Sequence, residues 1–215
     1  MQPTLFQTLP LSEAVLRAVA DMQYAQTTEI QARTIPLLLE GKDVIGRSST
    51  GTGKTAAFGI PAVERIRGQG GLAVLAHPFE HSRDAGRIAP IAPLLDGVEV
   101  WNSRAERKIA DANALAEAFA KAHGLRRFAG SDAHVPQEIG HGVTVVRAEA
   151  CTLDAVKAAL LHGGTQVQGC RSRAWYTARS QLTKRRKTKA GPAAYAKWAA
   201  FAAKCWAQDL IQKGE

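Results

Sequence analysis

The chain has 215 residues, 46% hydrophobic and 22% charged, with 19 Gly and 9 Pro. That composition excludes a collagen-like, disulfide-framework or wholly disordered chain, and no run of about 18 apolar residues offers a membrane span. The formal charge of +9 sits in one place: residues 166–215 carry 11 basic and 2 acidic side chains, while the rest is close to neutral. Contact with a polyanion, RNA or DNA, is therefore expected through residues 171–189, where the alternative is a solvated basic end that aids solubility. Residues 1–6 lack the basic flank and apolar core of a secretion signal, and Cys151, Cys170 and Cys205 form no C-x-x-C pair. Both features predict a cytoplasmic protein with reduced thiols.

In chain order, Leu11, Val15, Leu16 and Val19 recur at helical spacing over residues 11–22, with Ser12 at the N-cap. A second helix is predicted from about Glu29 to Leu39, stopped at Gly41. Asp43-Val-Ile-Gly46 reads as a short strand that runs into Ser48-Ser-Thr-Gly-Thr-Gly-Lys-Thr55, followed by a helix to about Arg67. Strand, glycine-rich loop and helix are the context of a phosphate loop. Backbone N–H groups from Gly51, Thr52 and Gly53 to Lys54 would wrap a phosphate chain, Lys54 would reach the outer phosphates, and Thr55 would hold Mg²⁺. The strict pattern is not met, because position 48 is Ser rather than Gly.

Arg67-Gly-Gln-Gly-Gly71 is the expected boundary, after which the rhythm changes. Strands are predicted over 72–76, 98–101, 127–130 and 143–146, and helices over 105–123 and 153–161. This alternation predicts an α/β chain with a parallel sheet or an incomplete, distorted barrel, carrying the phosphate-loop segment in front and a basic helical tail behind. The expected domains are 1–66, 70–170 and 171–215. In the tail Pro192 opens a helix whose Tyr195, Trp198, Phe201 and Trp206 form a stripe for docking or, alternatively, for stacking on bases.

Histidines begin only at position 77. His77 follows an apolar strand, and Asp132 and His134 follow another, two residues apart and so on one side. Three such residues at strand ends make a metal site with an open position for water. The plainer alternative gives Asp132 a helix-capping role and packs His77 beside Pro78.

Two resemblances bear on these motifs. Phe6, Leu9, Leu11, Tyr24 and Thr28-Glu-Ile-Gln31, with Gly41-Lys-Asp-Val-Ile45 and the loop, resemble the start of DEAD-box RNA helicases over residues 5–66. Thr27 and Gln23 depart from that pattern. The resemblance implies ATP with Mg²⁺, Gln31 hydrogen-bonding adenine and Phe6 packing over it. The family's Asp-Glu-Ala-Asp and Ser-Ala-Thr sequences do not occur in the 215 residues, so the expected activity on this side is nucleotide binding without helicase action or hydrolysis. Gly70 to Phe79, Asp96 to Arg104 and Gly130-Ser-Asp-Ala-His134 with Ile139-Gly140 resemble the C-terminal part of the polymerase and histidinol phosphatase (PHP) phosphoesterases. That resemblance implies a divalent metal (Mn, Zn or Fe) held by His77, Asp132 and His134, and hydrolysis of a phosphate ester by metal-activated water. The family's opening His-x-His block is missing, which predicts an impaired enzyme. The whole reads as a chimera of the two.

Overall fold

Residues 4–49 and 51–211 are described by the computed structural model; the reading of residues 1–3 as lacking a signal, and loop residue Thr50, lie outside them. Among the described residues no helix is long and apolar enough to cross a membrane, and all three cysteines are free.

The first helix, α1 (Glu13–Asp21), buries Val15, Ala18 and Val19, as its spacing predicts. Ser12 occupies the N-cap position without capping. Its N–H and its hydroxyl both donate to the Glu64 carboxylate at 2.9 Å, which ties the start of α1 to the helix that carries Glu64. Helix α2 (Glu29–Leu39) opens on a capping box: the Thr28 hydroxyl accepts from the Gln31 N–H, and the Gln31 amide oxygen accepts from the Thr28 N–H. It ends at Glu40, before Gly41 with φ +82°, a left-handed conformation that glycine adopts at no steric cost. Helix α3 (Lys54–Gly68) follows the loop.

One expectation fails here. Residues 42–49 are irregular, so the predicted strand at 43–46 does not form, and Ile45 is fully exposed. A strand needs a neighbour to receive its N–H and C=O groups, and none of the described strands pairs with this segment.

Three strands, β1 (Val74–Leu75), β2 (Gly97–Asn102) and β3 (Arg126–Gly130), form one sheet in that order. β1 runs parallel to β2 with Val74 opposite Gly97 and Leu75 opposite Val98. The helix predicted over 105–123 is shorter: α4 covers Ala112–Ala122, preceded by a single 3₁₀ turn at Ala105–Arg107. The Asn102 side chain accounts for the difference. Its oxygen accepts from the N–H groups of Arg104 and Ala105 at 2.8 and 2.9 Å, which offers the backbone an alternative to the α-helix.

The remaining strands correct the all-parallel expectation. β4 (Gly142–Val146) pairs antiparallel with β5 (Thr165–Gly169) in a separate two-stranded sheet, and α5 (Leu153–His162) connects them. The polar alternation of Thr165-Gln-Val-Gln suits a half-exposed antiparallel ribbon rather than a buried parallel strand. Then α6 (Ala174–Lys187) and α7 (Pro192–Ile211) pack on each other through Ala178, Ala202 and Cys205, flanked by Trp175, Trp198 and Phe201. The Trp198 indole donates to the Ala178 carbonyl at 2.7 Å. Trp198 and Phe201 thus dock as the stripe predicts, whereas Trp206 stays exposed.

The chain divides into two compact units, residues 1–75, 84–98 and 119–126 in one, and residues 76–83, 99–118 and 127–215 in the other. The core of the first gathers Phe6, Val15, Val19, Ile35, Ile60, Val63 and Leu94, each side chain contributing about 1.5–3 kcal/mol by leaving water.

Candidate functional sites

In the first unit the loop before α3 is built by glycine conformation and by α2. Gly51 and Gly53 take φ +82° and +81°, and Gly53 is the N-cap of α3. The Thr28 hydroxyl donates to the Thr52 carbonyl at 2.9 Å, and the Gln31 amide donates to the Gly53 carbonyl at 3.1 Å. The Ser48 and Thr52 hydroxyls are 2.7 Å apart. Lys54 folds back on its own loop: its ammonium donates to the Ser48 carbonyl at 2.9 Å and also to that of Ser49. Thr55 is exposed on the first turn of α3.

Gln31, Thr52, Gly53 and Lys54 are therefore brought together. Phe6 is not part of this group. It is 2% exposed, stacked on Tyr24 with ring centroids 6.1 Å apart, and lines a cavity of about 300 Å³ with Leu16 and Arg17. Neither Gln31 nor the loop lines that cavity.

In the second unit His77, Asp132 and His134 line one cavity of about 1360 Å³. His77 and Asp132 both have positive φ, +32° and +47°, a strained state for residues with a Cβ that clusters at functional sites. Asp132 caps no helix; its backbone carbonyl is 2.8 Å from His134 Nδ1. The His77 N–H donates to Glu99 at 2.7 Å, and the Asn102 amide donates to the same oxygen at 3.0 Å. A Cβ on Gly130 would strike the Glu99 carboxylate, so the glycine at the end of β3 is what admits this tie.

The three candidate ligands share the cavity without converging as a metal set. Among the described residues no group of three or more His, Cys, Asp and Glu is placed to hold one ion. One ring nitrogen of each histidine is engaged. His134 Nδ1 faces the Asp132 carbonyl, His77 Nδ1 lies 3.5 Å from Glu80, and the Lys108 ammonium sits against both Glu80 (2.9 Å) and His81 (2.7 Å). Burial raises the Glu80 carboxyl pKa, and the Lys108 hydrogen bond and charge outweigh it and hold the group below its usual range. The Lys108 ammonium thereby balances the Glu80 charge. The residues present do not fit the metal centre that the PHP resemblance implies.

Sequence reading missed the most buried polar assembly of this unit. Glu138 is 0% exposed and accepts from Arg104 Nε at 2.7 Å, from the His134 and Val135 N–H groups at 2.9 and 3.2 Å, and from the Ser172 hydroxyl. The spacing of Arg104 and Arg107 was its one visible signal, and spacing alone does not distinguish a buried pair from a solvated face.

The sequence model of the DEAD/DEAH box helicase family matches residues 28–94, and that of the PHP-associated family matches residues 110–165. The chain thus carries a segment similar to DEAD-box helicases and a segment similar to PHP-associated domains, consistent with a chimera of the two. Asp132 and His134 fall inside the second match, and His77 falls inside the first. Among curated relatives, the DEAD-box ATP-dependent RNA helicase CshA of Geobacillus kaustophilus is 60% identical over 63 residues, which is 29% of this chain and 14% of that protein. The protein of the same name from Bacillus subtilis is 57% identical over 61 residues, 28% of this chain and 12% of that protein. The chain therefore spans about one seventh or less of the length of these relatives. A solved DEAD box protein from the hyperthermophile Methanococcus jannaschii aligns with a TM-score of 0.33 and 26% identity, over 46% of this chain and 28% of that one.

Proposed function

We propose that the chain binds the phosphates of a nucleotide at residues 51–55 and does not hydrolyse them, as an ATP-binding segment of DEAD-box type. The junction of loop and helix carries this reading: two left-handed glycines lead into α3, and α2 draws the Thr52 and Gly53 carbonyls to itself. The first N–H groups of α3 have no partner within the helix, and its positive end favours an anion. Lys54 currently holds neutral carbonyls, and phosphate oxygens would replace them with charged acceptors. Mg²⁺, when bound with the nucleotide, would neutralise phosphate charge, with the Thr55 hydroxyl as its protein ligand. Turnover needs a positioned water and further charge stabilisation, and the sequence lacks the Asp-Glu-Ala-Asp block that supplies them in the helicases it resembles. Thermal denaturation tests the reading. ATP at 100 times its Kd should stabilise the chain by about 2.7 kcal/mol, and Lys54→Ala should abolish the effect; no stabilisation of the wild type would refute it.

A second reading is favoured by the shared cavity of His77, Asp132 and His134. On this reading the second unit is a phosphoesterase that takes a phosphate ester but lacks the metal-activated water to cleave it, with residues 171–189 adding RNA or DNA contact. Purified protein should hold no stoichiometric Mn, Zn or Fe. About one ion or more per chain, lost in His134→Ala, would instead restore the hydrolytic reading.

A further inference from the structure

Ser103, Arg104 and Arg107 lie on the turn that follows β2, Thr177 lies on α6, and all four line the cavity of the second unit. Each carries a buried polar atom without a partner: Ser103 Oγ, Arg104 Nη2, Arg107 Nε and Nη1, and Thr177 Oγ1. Arg104 is 8% exposed, and only its Nε is used, on Glu138. Arg107 uses only Nη2, which donates to the Arg173 carbonyl at 2.7 Å and lies 3.5 Å from Glu138. All five unpartnered atoms can donate, and buried donors are costly to leave unpaired.

Charge is as unbalanced as hydrogen bonding. Glu138 faces both guanidiniums and already accepts from Ser172 and from two backbone N–H groups, and Asp209 adds a weaker negative charge toward Arg107. Burial first, and then the Arg104 charge, push Arg107 away from its charged form, so a further anion is favoured there. The cavity rim does not correct the deficit. Seven basic and three acidic side chains line it, and of the acids Glu80 is paired with Lys108 and Glu106 with Arg171. The ligand that answers this set is negative, offers acceptors only and presents more than two oxygens. Guanidinium forks match a phosphoryl group in both geometry and charge.

We propose that Ser103, Arg104, Arg107 and Thr177 form a binding site for a phosphoryl group. It belongs either to a small phosphate ester or to the backbone of a nucleic-acid strand led in along Lys184, Lys187 and Lys204, which line the same cavity. This deepens the second functional reading, specifies its phosphate-binding residues and requires no metal.

The test uses the full chain in a Lys54→Ala background, so that the phosphate loop contributes nothing and its failure stays separate. Inorganic phosphate, and separately a single-stranded RNA of about ten nucleotides with hydroxyl ends, are titrated at fixed ionic strength while melting temperature and tryptophan fluorescence are followed. Saturable binding of at least one probe is expected, weakened about tenfold in Arg107→Gln. Thr177→Val removes an unpartnered hydroxyl, so it should weaken binding several-fold with the unliganded melting temperature unchanged; it decides the matter if Arg107→Gln does not fold. Binding of phosphate supports the site and assigns it to small esters, and binding of RNA alone supports it and assigns it to a strand backbone. Saturable binding of neither probe, or binding unaltered in the folded variants, overturns the proposal.

Discussion

Glu138 shows how much one side chain can organise. Burial alone would raise its pKa, but Arg104, Ser172 and the His134 N–H outweigh burial and hold the carboxyl below its ordinary value of 4.5. A carboxyl whose pKa is depressed on folding stabilises the protein above the unfolded value, and that contribution is lost as pH falls through the lower folded value. Stability should therefore decline below about pH 4.5, and Glu138→Ala should flatten that part of the profile. The same substitution leaves Arg104 buried without a counter-charge, so it should cost about 3–5 kcal/mol at neutral pH, read by denaturant unfolding. Beyond the spacing of Arg104 and Arg107, none of this was legible in the sequence. Val135-Pro-Gln-Glu138 has no motif, and two of the partners of its carboxylate, Arg104 and Ser172, each lie 34 residues away.

At the scale of elements, legibility followed the range of the forces. Helix α2 forms over the predicted residues because its capping box, apolar spacing and terminal glycine all act within a few residues. Strands depend on distant partners. The segment at 43–46 has strand-like side chains and no neighbour, so it stays irregular, while the polar β5 becomes a strand because β4 is there to pair with it. The helix expected from 105 starts late because Asn102, which lies before it, captures its first N–H groups. The loop–α3 junction gives an element-level prediction. A Cβ at Gly53 would meet the Gln31 amide, and φ is +81° there. Gly53→Ala should destabilise the first unit by about 1–3 kcal/mol and weaken ATP binding. Far-UV unfolding and an ATP titration of the same variant check both effects.

At the scale of the whole molecule, the phosphate-binding chemistry we propose falls in two places that differ in kind. The first unit offers a helix terminus and one lysine, arranged largely by backbone conformation. The second offers buried guanidiniums and hydroxyls assembled from the turn after β2 and from α6. The sequence motifs made part of the first legible, since glycine, lysine and threonine spacing is local, whereas Phe6 lies apart from the loop and the strand expected at 43–46 does not form. For the second they revealed His77, Asp132 and His134, which do share a cavity, but not the cations beside them or the commitment of Glu80 to Lys108. We propose that the chain binds a nucleotide through Lys54 and leaves it intact. The most direct test follows Mg·ATP binding by calorimetry and orthophosphate release in the same sample, for wild type and Lys54→Ala. Saturable binding is expected in the wild type, none in the variant, and no phosphate release in either. Release that depends on Lys54, or a wild-type chain that binds no ATP, would contradict it.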